Sequence, residues 1–83
     1  MRRYVVDASV AIKWFVPEVH SEEALRLLSS GCELLAPDLL PAEFGNILWK
    51  KTRRGEVGVP KAVEILRALP EIPIHFSAAS ALL

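Results

Sequence analysis

The sequence predicts an α/β fold, a three-layer arrangement with a parallel sheet between helices. Two observations carry that expectation. Short β-branched and aromatic runs alternate with longer stretches of helical periodicity in the order βααβααβα. Most of these segments are also bounded by Pro, Gly or a capping residue, so their limits can be read.

The first strand covers 3–6, where Arg-Tyr-Val-Val has the composition of a buried strand. Asp7 follows at once and opens a helix over 8–16, apolar nearly all round and ended by Pro17. Ser21, Glu22 and Glu23 read as an N-cap with an acidic first turn, favourable at the positive end of a helix. Ala24, Leu25, Leu27 and Leu28 are the expected buried face, and Gly31 stops that helix. A second strand is expected over 33–36, closed by Pro37. The longest helix spans 40–54, with Pro41 in its first turn, where a missing N–H costs nothing. Leu40, Phe44, Ile47 and Leu48 recur at i, i+4, i+7 and i+8 on one face. Its basic last turn is followed by Gly55, a C-terminal cap. Another helix covers 59–69 with Val63, Leu66 and Leu69 inward. A third strand covers 72–76 and one more helix starts over 77–83.

Length and composition narrow the class. Eighty-three residues allow one domain or part of one. Three strands make a thin parallel sheet, and the last helix has neither a middle nor a C-cap. The expectation is that 1–83 form the N-terminal portion of a single domain, truncated at the C-terminus. Ten basic and ten acidic residues cancel, which excludes a polybasic protein whose whole surface seeks phosphate. An apolar fraction of 52% excludes intrinsic disorder. No apolar run approaches the roughly 20 residues of a membrane-spanning helix, and the first seven residues lack the apolar core of a signal peptide. The single cysteine, Cys32, excludes a disulfide framework and a cysteine-built zinc site, and fits a reducing cytoplasm. High apolar content in so short a chain also points to hidden surface, whether a partner, a homodimer or higher oligomer, or missing sequence.

Two acids stand out. Asp7 lies directly after a strand and before a helix, beyond the carboxyl end of the strand, where open α/β sheets build their sites. As an N-cap it has an equally good structural reason to be there. Glu43 lies early in the long helix, with Asn46 and Lys50 on the same side of it. It too has a plain alternative, as a solvated acid near a helix N-terminus. The basic run Lys50, Lys51, Arg53 and Arg54 reads either as a phosphate contact or as cations completing a helix C-terminus. Trp14, Phe15 and Trp49 are expected in the core rather than on a base-stacking surface. His20 and His75 lack partners at ligand spacing.

Together these segments resemble a known family. Val5-Val6-Asp7-Ala8-Ser9-Val10-Ala11-Ile12-Lys13-Trp14-Phe15 is similar to the opening motif of the PIN domain, in particular of VapC-like toxins from toxin–antitoxin pairs. Ala36-Pro37-Asp38-Leu39-Leu40-Pro41-Ala42-Glu43-Phe44-Gly45-Asn46 and the residues to Lys51 are similar to its second motif. The resemblance implies Mg²⁺- or Mn²⁺-dependent cleavage of RNA, with Asp7 and Glu43 matching the first two acids of the metal site. Ser9 and Asn46 match polar positions beside them. It also implies a cognate antitoxin as partner and a cytoplasmic setting. The remaining acids of the family's site come after the third strand, where nothing in this sequence matches them. Alone, the chain therefore lacks part of the site.

A second reading is a cut-down PIN-like binding module without activity, which docks an antitoxin or another copy of itself. A third, a phosphatase with an aspartate nucleophile after the first strand, wants a second acid where Ser9 stands.

Overall fold

The computed structural model describes residues 2–78. Strand β1 covers Arg3–Val5, helix α1 Ala8–Ala11, α2 Ser21–Leu28, β2 Glu33–Pro37, α3 Leu40–Arg53, α4 Val59–Ala68 and β3 Ile74–Ser77. The three strands form one parallel sheet in the order β1-β2-β3, with Tyr4 opposite Leu34 and Leu34 opposite Ile74. Parallel neighbours need crossover connections, and here each crossover contains helices. The α/β class and its parallel sheet are as the alternation of strands and helices predicts. The expected last helix lies outside the described residues, except that Ser77 belongs to β3.

The core grows from the stripe on α3. Leu40, Phe44 and Leu48 are buried, with Ile47 packed against them. The Phe44 ring meets Phe15 edge-on, their centroids 5.8 Å apart. Val6, Leu34 and Ala36 bring the sheet into the same cluster. Along β2 burial alternates: Leu34 and Ala36 are fully buried, while Leu35 on the other face is half-buried. Gly55 follows α3 with φ at 75°, the left-handed conformation that closes a helix, and its N–H donates to the Thr52 carbonyl at 3.0 Å.

Several local expectations change. The helix expected over 8–16 is α-helical only for Ala8–Ala11 and then tightens into a 3₁₀ turn over Ile12–Trp14. The buried Trp14 indole donates to the Ala24 carbonyl at 2.8 Å, which ties that turn to α2. Ser21 does not cap α2. The cap position is His20, in the left-handed region at φ 68°. The Ser21 hydroxyl instead closes the preceding turn, accepting from the Glu18 N–H at 2.8 Å and donating to the Val16 carbonyl at 3.4 Å.

Two helix faces are rotated from the expected stripe. On α2, Ala24 is buried and Leu27 half-buried, while Leu25 and Leu28 are exposed. On α4, Ala62 and Ile65 face inward with Leu69 beyond them, and Val63 and Leu66 lie outside. Small Ala62 lets α4 approach α3. Trp49, expected in the core, is 55% exposed beside Val59, Val63 and Leu66. These four line an apolar groove of about 480 Å³ between α3 and α4. No helix among the described residues is long and apolar enough to cross a membrane.

Candidate active site

Parallel strands end at a common edge, and both singled-out acids stand on helices that begin there. Asp7 follows β1 after Val6. Glu43 lies in the first turn of α3, which follows β2 across a two-residue turn, with its N–H bonded to the Leu39 carbonyl at 3.0 Å. Helices α1 and α3 pack against each other, so the fold places the two residues on neighbouring elements. Both side chains are exposed.

Asp7 is the better defined of the two. Its extended backbone places the side chain over the start of α1, and Oδ1 accepts from the Val10 N–H at 2.9 Å. The Ser9 hydroxyl donates to the same oxygen at 2.6 Å. The Ser9 hydroxyl bond, helped by the Val10 N–H and by nearby Lys13, holds the carboxyl below the usual range against the opposing effect of burial. Asp7 is therefore ionised at neutral pH. Oδ2 receives no hydrogen bond among the described residues.

That donor set suits a hard divalent cation: an ionised carboxylate with one oxygen fixed and the other open. Glu43 stands exposed on the adjacent helix, and Asn46 is exposed one turn further along it. Among the described residues no three His, Cys, Asp or Glu side chains group closely enough to hold a metal. Asp38 begins the turn after β2, where its N–H donates to the Ser77 carbonyl at 2.8 Å and ties the ends of β2 and β3 together. The position-after-a-strand rule that selects Asp7 selects Asp38 too, yet it joins no such group.

The basic end of α3 divides into different environments. Lys51 is largely shielded and paired with both Glu18 and, at 3.6 Å, Glu56. Arg54 lies 3.7 Å from Glu56. The Arg53 guanidinium sits 4.9 Å from the centre of the Trp49 ring, a cation–π contact. Lys50 is exposed.

Fold and site together define an α/β protein with carboxylates at the carboxyl edge of a parallel sheet. The PIN domain model matches residues 4–83, and the chain belongs to that family. It is similar to Ribonuclease VapC3 of Pyrobaculum aerophilum, 42% identical over 69 residues that cover 83% of this chain and 53% of that protein. The chain thus spans about half the length of that relative.

Proposed function

We propose that this chain is the N-terminal part of a VapC-like endoribonuclease that uses Mg²⁺ or Mn²⁺. One observation carries the reading: Asp7 is kept ionised at the sheet's carboxyl edge with one oxygen open, beside the helix that bears Glu43. Similarity to a relative named as a ribonuclease supports RNA as the substrate. Asp7 and Glu43 would hold the ion, which supplies charge neutralisation at phosphate and an acidified water. Ser9 orients Asp7 and stabilises its charge, and Asn46 lines the same side of α3. Lys50 and Arg53 contact RNA phosphates. Of the four basic residues first considered, Lys51 is spent on Glu18 and Glu56, and Arg54 is shared with Glu56.

The VapC-like character also brings a cognate antitoxin as partner and a cytoplasmic setting. Self-association follows from the exposed apolar side chains, including Tyr4 and Val5 on edge strand β1.

The second reading, an inactive binding module, is favoured by the absence of a third acid near Asp7 and Glu43 among the described residues. Incubating RNA with Mg²⁺ and a chain extended through the remainder of a PIN domain separates the two. Cleavage that EDTA stops supports the nuclease, and intact RNA supports the module.

A further inference from the structure

The Lys13–Glu18–Lys51 cluster lies outside the acids discussed above, yet it joins the elements that carry them. Lys13, in the 3₁₀ turn that continues α1, donates to the Ser9 carbonyl at 3.1 Å and reaches Glu18 Oε2 at 3.4 Å. Lys51, on α3, pairs with the other oxygen, Glu18 Oε1. All three side chains are mostly shielded: 23% exposed for Lys13, 24% for Glu18 and 13% for Lys51. Shielding separates this cluster from ordinary surface pairs, which solvent and salt weaken. Glu18 itself is held in place, since its N–H donates to the Ser21 hydroxyl.

A continuous path results. Asp7 accepts from Ser9, the Ser9 carbonyl accepts from Lys13, and Glu18 joins Lys13 to Lys51 on the helix of Glu43. The hydrophobic contribution to the contact between α1 and α3 is non-directional. A carboxylate divided between two ammonium groups, one on each side, fixes both.

We infer that Glu18 is a positioning residue: by bridging Lys13 and Lys51 it sets α1 against α3 and so fixes Asp7 relative to Glu43. The inference rests on the proposed role of those two carboxylates, and its test separates the two questions.

Hydrogen–deuterium exchange of the full chain, read by mass spectrometry, follows residues 7–14 with residues 60–68 of α4 as the internal control. Glu18→Gln keeps the side-chain shape and removes the charge. Lys13→Met keeps the stem without the ammonium, and Lys13→Arg restores a cation. In metal-free buffer, exchange over 7–14 should rise about tenfold in Glu18→Gln and Lys13→Met, stay at the wild-type rate in Lys13→Arg, and leave 60–68 unchanged throughout. Unchanged exchange over 7–14 in Glu18→Gln overturns the inference. So does an equal rise over 60–68, which means general loosening, or a failure of Lys13→Arg to restore protection. A parallel sample with MnCl₂, of a chain extended through the rest of a PIN domain, addresses the site itself. Added protection over both 7–14 and 40–46 supports the Asp7–Glu43 reading, and its absence overturns that reading whatever the metal-free samples give.

Discussion

The Ser9 hydroxyl donates a 2.6 Å hydrogen bond to Asp7 Oδ1, the same oxygen that receives the Val10 N–H. One oxygen of Asp7 therefore serves the local fold, while the other has no hydrogen-bond partner among the described residues. The cap and the candidate ligand are one residue. The two explanations that sequence leaves open for Asp7 are compatible, and mutation can separate them.

Asparagine caps a helix about as well as aspartate, whereas alanine does not. Asp7→Asn, which keeps the cap but loses the charge, should lose less stability than Asp7→Ala, which should lose about 1 kcal/mol or more. In a chain extended through the rest of a PIN domain, both should abolish Mn²⁺ protection at the site. Urea unfolding of the three chains, alongside exchange with and without MnCl₂, checks both halves of this expectation.

The ion pairs set a pH dependence of definite sign. The hydrogen bond from Lys51, with smaller help from Lys13, holds Glu18 below the usual carboxylate range, and the Ser9 bond does the same for Asp7. A folded-state pKa below the unfolded one gives stability that is present above the unfolded value and lost as pH falls through the folded value. Lys51 is raised above the usual lysine range, chiefly by its bond to Glu18. Its contribution is present below the unfolded value and lost as pH rises through the folded one. The urea midpoint should thus be flat near neutrality, fall once pH drops into the carboxylate range, and fall again above the ordinary lysine pKa. In Glu18→Gln both declines should be smaller, which paired urea titrations across pH would show.

Phe44 is fully buried against Phe15, and Trp49 one and a half turns later is half in solvent. Phe44→Ala should cost roughly 3–5 kcal/mol, the range for large core aromatics. Trp49→Ala should cost under about 1 kcal/mol. Equal losses in denaturant unfolding would contradict the packing described for α3.

At the basic end of α3, Lys50 and Lys51 are neighbours in sequence with different work. Lys50→Gln should weaken RNA binding by an extended chain and lower the slope of log affinity against log salt by about one. Lys51→Gln should leave that slope unchanged and lower stability, because it frees a shielded Glu18. Filter binding at several salt concentrations, with urea unfolding beside it, distinguishes them.

The contrast between Lys50 and Lys51 shows what local pattern reveals. The Leu40, Phe44 and Leu48 stripe was legible because large apolar residues at helical spacing leave one choice of inner face. On α4 two stripes compete, and the chain buries the one through Ala62 and Ile65, since a small residue permits a close helix approach. Bulk favoured Val63 and Leu66, and bulk was misleading. Asp7 was legible from its place after a strand, and the Ser9 and Lys13 partners lie within two turns of it. Glu18 and Lys51 are far apart in the chain and meet only through tertiary packing. No spacing rule connects them. The Trp14 indole bond that pulls the chain out of α-helix geometry is likewise visible only once α2 is in place.

In the proposed function, Asp7 and Glu43 hold the ion for RNA cleavage. Its most direct test is the Mg²⁺-dependent cutting of end-labelled RNA by a chain extended through the rest of a PIN domain, comparing wild type with Asp7→Asn and Glu43→Gln. Cleavage should stop with EDTA and fall at least about 100-fold in each variant, a loss of roughly 3 kcal/mol in transition-state stabilisation. Cleavage that survives both substitutions would contradict it.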